Sequence, residues 1–266
     1  MIDTSILALW PMIIAGGFGV GFLVGMTGVG AGSLMTPFLI TQVGVQPALA
    51  VGTDLLFASI TKASAAAPHH SFGNVNWRIV RWLAAGSVPG SLAMLWLIDW
   101  LHPDLAQMGH VIKLALVSAL ALSAGAILIY PFITRGKGIM DDGSGHPVRP
   151  VPTLLLGFLL GSIVTLTSVG AGAIGVVVLT LLYPALKTRH LIGTDIVHAV
   201  PLTLVSGLGH LGMGNTNFTL LALLLAGSLP GIAIGSRLTG RLPDWLLRVS
   251  LAAILVFAAY TLFSKL

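Results

Sequence analysis

The sequence predicts an all-α polytopic membrane protein built from two related halves of about five helical passes each. Three observations carry that expectation. Only 8% of the 266 residues are charged, 56% are apolar and the mean hydropathy is +0.98, whereas a soluble domain is about a quarter charged. Apolar stretches of membrane-spanning length recur along the chain, separated by short basic clusters. A constellation of Gly, Thr, Asp, His, Asn and Pro from the first half then returns in the second.

The apolar stretches run over 5–27, 31–46, 49–68, 79–99 and 109–133, then over 151–167, 171–185, 191–211, 218–236 and 245–263. Each is expected to be helical, because a lipid-exposed backbone has to satisfy its own hydrogen bonds. The first stretch, from near Ser5, has no Lys or Arg before it and is expected to be a membrane segment of the mature protein, not a signal peptide. One long polar stretch, Thr134 to Pro150, reads as a loop from its Gly, Pro and charges. It divides the chain into a first repeat (1–134), a linker (135–150) and a second repeat (151–266).

The repeat is specific. Thr27-Gly-Val-Gly-Ala-Gly-Ser33 returns as Thr167-Ser-Val-Gly-Ala-Gly-Ala173, and Gly17 and Gly21 fall on Gly157 and Gly161. After one residue of slippage, Gly52-Thr53-Asp54 matches Gly193-Thr194-Asp195 and His69 matches His210. Gly73-Asn74-Val75-Asn76 matches Gly214-Asn215-Thr216-Asn217, and Gly86 to Gly90 matches Gly227 to Gly231. A repeat unit of half a membrane protein is the pattern of transporters made from duplicated halves.

Charge decides the expected topology. If 5–46 and 151–185 each crossed once, Arg78/Arg81 would face opposite Arg237/Arg241, and the basic bias would vanish. If each passes twice, or dips in and returns at a Gly-rich break, then Arg78/Arg81, Arg135/Lys137/Arg149, Lys187/Arg189 and Arg237/Arg241 share one side. Five passes per half follow. An odd number makes the halves inverted repeats, with basic loops cytoplasmic and both termini outside.

Candidate functional residues lie at the repeated motifs. A run of glycines costs a helix about 1 kcal/mol per residue. Small residues at Gly17, Gly21 and Gly25 suit close helix packing. For Gly28 to Ser33 and Ser168 to Ala173 the competing reading is a helix break near the membrane midplane, whose freed amides face an anion. That reading assigns Thr27, Gly28, Gly30, Gly32 and Ser33, with Thr167, Ser168, Gly170 and Gly172, to substrate binding. Asp54 and Asp195 follow Gly-Thr near the start of apolar stretches. They either cap helices from the interface or, with Thr53 and Thr194, line a central path as proton or cation sites. Lys62, whose repeat partner is Thr203, could attract an anion or snorkel to the interface. His198 sits one helical turn after Asp195 as a candidate proton partner. His69 and His210 are expected to bond loop backbone. The Asn pairs read as turn and helix-start residues, and Pro89 and Pro230 as kinks.

The composition also excludes several classes. A net charge of +5 without an exposed soluble face does not fit a nucleic-acid surface, and the absence of cysteine removes disulfides, thiolate metal sites and thiol catalysis. No enzyme activity, cofactor or metal is expected. His69, His70, His198 and His210 could in principle ligate haem, but no Cys, Glu or His-x-x-x-His spacing supports that reading. The expected partners are the lipid bilayer and a small anionic solute.

The duplicated Gly-x-Gly-Ala-Gly turn, the Gly-Thr-Asp tripeptide, Gly73 to Trp77 and the Gly-Ser-x-Pro-Gly segments resemble the TauE/SafE family of membrane permeases along nearly the whole chain. The resemblance implies alternating-access transport, mostly outward across the cytoplasmic membrane, of sulfite or an organosulfonate. The family's repeated motifs fall here on Gly28 to Ser33, Gly52 to Asp54, Ser168 to Ala173 and Gly193 to Asp195. A carboxylate or a cation is the alternative solute.

Overall fold

The computed structural model describes residues 8–27, 32–101, 105–134, 147–238 and 243–266. Among them are ten α-helices and no strand: α1 (Trp10–Thr27), α2 (Gly32–Phe38), α3 (Pro47–Ser71), α4 (Trp77–Leu101), α5 (Leu105–Thr134), α6 (Pro150–Thr167), α7 (Ala173–Leu182), α8 (Thr188–Gly212), α9 (Phe218–Leu238) and α10 (Asp244–Phe263). They reproduce the ten apolar stretches in order. A π-helical turn, Leu39–Val43, extends α2 until Gly44, at φ 78°, ends it.

Seven helices are long and apolar enough to span a bilayer. α3 has the length but carries Asp54, Lys62 and two histidines, and most of its first sixteen residues are buried inside the protein. The outer helices carry the lipid-facing surface, where Leu92, Leu122, Leu159 and Phe257 are exposed. All six tryptophans are exposed as well, Trp10, Trp96 and Trp100 toward one end and Trp77, Trp82 and Trp245 toward the other. Two such belts mark the two membrane interfaces.

Contacts between the halves set the helix directions. Gly17, Gly21 and Gly25 of α1 seat against the backbone of Leu224, Ser228 and Ile232 of α9 in the same order, so these helices run parallel. The equivalent pair repeats the arrangement, Gly157 and Gly161 of α6 resting on Leu83 and Ser87 of α4. The packing is reciprocal, because Gly227, Gly231 and Gly235 lie against α1 while Gly86 and Gly90 lie against α6. Glycine is needed because a Cβ at any of these positions would enter the neighbouring backbone.

The equivalent helices α3 and α8 instead run antiparallel: Gly52 faces His210, Leu56 faces Gly207, and His69 faces Gly193. α5 and α10 do the same. Lys113 Nζ donates to the Lys265 carbonyl at 2.9 Å near one end, and the Arg248 guanidinium lies 5.0 Å from the Tyr130 ring centroid near the other.

Direction also settles the path at the Gly-rich break of the second half. Ser87 pairs with His198 and Ser91 with Ser206, so α4 and α8 run parallel. Since α6 is parallel to α4, α6 and α8 point the same way, and residues 168–187 must carry the chain back between them. At 1.5 Å per residue the ten-residue α7 covers about 15 Å of that return, half of a hydrocarbon core about 30 Å thick. The remainder is irregular chain on either side.

These contacts gather Arg78, Arg81, Arg149, Lys187, Arg189, Arg237 and Arg248 at one end, here the basic end. Lys113 and Lys265 lie at the opposite end. Arg135, Lys137 and Arg241 lie outside the described residues, as does linker 135–146.

The glycine seats make a sharp prediction. Gly21→Leu and Gly161→Leu should each destabilise the detergent-solubilised protein by more than about 1 kcal/mol through overpacking. Gly19→Leu, with open space around its Cα, should not. Thermal unfolding followed by circular dichroism compares the three.

Candidate functional site

The centre of the molecule is the crossing of α3 and α8, and their polar residues have no route to water along a helix surface. Asp54 and Asp195 each lie seven residues past the first residue of their helices, and both are fully buried. Helix capping therefore does not explain them. The caps are Gln46 and Lys187, neither with a side-chain cap bond.

The threonines beside them hold the two halves together. Thr194 Oγ1 accepts the Asn76 N–H at 2.9 Å, and Thr53 Oγ1 accepts the Asn217 N–H at 3.1 Å. Gly193 and Gly52 make room for the carbonyls of Asn74 and Asn215 in the same loops. Each Gly-Thr pair is thus the seat for the Gly-Asn-x-Asn turn of the opposite half, which explains why both motifs occur twice. The Asn side chains act locally, Asn76 and Asn217 Oδ1 accepting amides that start α4 and α9.

The aspartates differ in their surroundings. Asp54 Oδ2 accepts the Thr36 hydroxyl at 2.5 Å, leaving Oδ1 unpartnered. No side chain hydrogen-bonds Asp195, whose carboxylate rests against Gly175 of α7, where a Cβ would strike Oδ1. Between them lies Lys62, buried, within electrostatic reach of both carboxylates and of His198. It does not snorkel: Nζ donates to the Ala171 carbonyl at 3.3 Å, tying α3 to the break of the other half.

That break has the geometry expected of it. α6 ends on Ser168 at φ 59°, and Gly170 and Gly172 take φ 128° and 120° before α7 starts. Glycine is required at the last two because a side chain there is strained. Thr167 is spent on the turn, donating to Ile163 and Val169 carbonyls and accepting the Val169 N–H. Ser168 is buried beside Asp54. In the first half Gly28 and Gly30 lie outside the described residues. Thr27 ends α1, Gly32 opens α2, and Ser33 is buried.

A cavity of about 340 Å³ joins this centre to the basic end. Asp195, Gly172 and Ala173 form its inner wall, with Thr27, Thr188, Tyr130 and Arg248 nearer the helix ends. Ile127, Val176 and Leu251 contribute apolar wall. Asp54, Lys62, His198 and the Thr53/Thr194 pair are not part of the lining. His198 Nε2 pairs with Ser87 Oγ at 2.8 Å, on the α4 side. His210 departs from the expected bond to loop backbone, its ring Nε2 meeting the Thr165 carbonyl at 2.9 Å, inside the protein.

Sequence reasoning missed Arg248, in the first turns of α10, and Tyr130, near the end of α5. It also missed the hydroxyl cluster of Ser91, Thr165 and Ser206, joined at 2.8 to 2.9 Å. Isolated Ser and Thr in apolar helices carry no signal until the fold brings them together.

Ten helices in two interlocked halves, with buried carboxylates and a cavity entering from one end, define a multi-pass membrane transporter. The family model described as "Sulfite exporter TauE/SafE" matches residues 13–262, and the chain belongs to that family. It is 35% identical over 252 residues to the "Probable membrane transporter protein YjnA" of Bacillus subtilis, covering 94% of this chain and 98% of the relative. It is 25% identical over 237 residues to YdhB of the same organism, covering 89% and 93%. A probable membrane transporter protein of Methanocaldococcus jannaschii, MJ0441, is 26% identical over 212 residues, covering 78% and 74%. No solved structure matches.

Removing one loop seat tests the cross-half bond. Thr194→Val leaves the Asn76 N–H without its acceptor and should cost about 1–2 kcal/mol, while Thr194→Ser should recover most of it. Thermal unfolding of the two variants in one detergent reads the difference.

Proposed function

We propose that the protein exports a small sulfur-containing oxyanion, such as sulfite or an organosulfonate, by alternating access between two inverted halves. The observation that carries this reading is the cavity running from the basic end to the break before α7. There the first amides of a half-membrane helix, with the positive end of its dipole, border the space beside Thr27. An oxyanion suits such a wall, and the family description supplies the sulfur chemistry.

Several facts support the inverted arrangement. Equivalent helices α3 and α8 are antiparallel, as are α5 and α10, and the pairing of α1 with α9 recurs as that of α6 with α4. A two-fold axis lying in the membrane plane relates such pairs. Under the positive-inside bias the basic end is cytoplasmic, both termini are outside, and the cavity faces inward. In the opposite state the exchange of halves would bring Asp54 beside an outward cavity as Asp195 lies beside this one.

Coupling belongs to the central cluster. Two buried carboxylates face one lysine, and this excess of one negative charge suits uptake of one proton during the cycle. Asp195, buried at the inner end of the cavity, favours a second reading, in which the solute is a cation bound by the aspartate. Competition separates the two, since an oxyanion transporter is inhibited by anions of the same class and not by organic cations.

Binding tests the first reading directly. Sulfite, sulfate, thiosulfate and taurine are compared by thermal shift on the purified protein. Sulfite should stabilise the wild type, and Gly170→Leu, which forces a side chain into φ 128°, should abolish the shift. A response to none of them would reject a sulfur oxyanion. The orientation is checked by labelling, since the chain has no cysteine of its own. Ser264→Cys should react with an impermeant maleimide in intact cells, and Arg189→Cys only after permeabilisation.

A further inference from the structure

Among the described residues Arg248 is the one arginine lining the cavity, and the transport reading leaves it without a role. It lies in the first turns of α10, four residues after Asp244, and its guanidinium sits over the ring of Tyr130, near the end of α5. The face of an aromatic ring holds a guanidinium by cation–π attraction without using its N–H donors. The ring thus fixes the cation at the cavity wall while its hydrogen-bonding edge stays available.

Tyr130 adds a second, independent feature. Its side chain is 9% exposed and lines the same cavity, yet its hydroxyl has no hydrogen-bond partner. A buried phenol without a partner costs free energy that a bound acceptor would recover. A guanidinium and an unsatisfied hydroxyl on one wall suit a ligand with several acceptor oxygens and a negative charge. Carboxylate or sulfonate geometry matches the fork of an arginine in two parallel bonds.

The two ends of the molecule are unequal here. In the register that places Gly227 on Gly86, the position matching Arg248 is the neutral Gln107. The cation therefore belongs to one end only. The pseudo-symmetry that duplicates the aspartates, the loop seats and the glycine contacts does not duplicate this residue.

We propose that Arg248 and Tyr130 form an anion-selecting site at the basic end of the cavity, where the solute is recruited before it reaches the break ahead of α7. The inference rests on the transport reading and deepens it. A fixed cation in a low-dielectric cleft raises the local concentration of an oxyanion and rejects cations, which gives the basic end the higher affinity. Asp195, on the inner wall of the same cavity, keeps the anion at the arginine until the carboxylate is neutralised.

The test is equilibrium binding of sulfite and of methanesulfonate to the purified full-length protein, by calorimetry, for wild type, Arg248→Gln, Arg248→Lys and Tyr130→Phe. Loss of a charged hydrogen-bonding partner should raise Kd about tenfold to a hundredfold in Arg248→Gln. Arg248→Lys should recover part of the affinity. Tyr130→Phe, which keeps the ring under the guanidinium and removes only the hydroxyl, should weaken binding about threefold to tenfold. The ligand-free melting temperature should stay unchanged in all three.

A wild type that binds either anion while Arg248→Gln binds it within twofold overturns the site and leaves the transport reading standing. So does a lowered ligand-free melting temperature with unaltered affinity, the mark of a purely structural arginine. A wild type that binds neither anion overturns the oxyanion reading itself and the site with it. Should Arg248→Gln not fold, Arg248→Lys and Tyr130→Phe carry the comparison, and unchanged affinity in both counts against the site.

Discussion

Backbone-to-backbone contact between glycine-lined helices of opposite halves is the constraint on which the rest of the structure depends. In a bilayer the lipid tails are as apolar as the helix surfaces, so association has to come from close packing and hydrogen bonding. Gly17, Gly21 and Gly25 on α1 and Gly157 and Gly161 on α6 bring their helices against α9 and α4 so closely that no side chain fits between. Both pairs join one half to the other. Neither half can close on itself, and the protein is an interlocked whole, not two domains in tandem.

That interlock creates the protected interior in which charge can be kept. With α1–α9 and α6–α4 forming the flanks, α3 and α8 cross at the centre, and it is on these two that Asp54, Lys62, Asp195 and His198 lie. A charge in hydrocarbon is retained only where partners and cavities offset its desolvation. Lys62 meets this condition by donating to the Ala171 carbonyl within electrostatic reach of both carboxylates. Its position is singular, since the repeat partner is Thr203, whose hydroxyl turns back to its own helix. One cation near two repeat-equivalent acids makes the centre unlike in its two halves.

The same asymmetry runs through the site. Asp195 borders the cavity while Asp54 is closed off and bonded to Thr36. The short α7 borders the cavity at its N-terminus, through Gly172 and Ala173.

The sequence by itself determined the ten helices, the break at 168–172 and the spacing of the repeated motifs. Each of these rests on local physics. Apolar length, glycine and charge placement are properties of the chain read along its own axis, as the match between the apolar stretches and α1 to α10 shows. It was equally able to place Gly17, Gly21 and Gly25 as packing glycines, because a four-residue spacing puts them on one helix face. It could not tell that the Gly-Thr pairs serve as seats for the opposite Asn turns, or that Asp54 and Asp195 do not cap their helices. Nor could it join Arg248 to Tyr130, or Ser91 to Thr165 and Ser206. Those relations connect residues more than forty positions apart in different halves or helices. Only the tertiary structure decided them, because which faces meet is set by the summed packing of all ten helices, and no single segment contains that information.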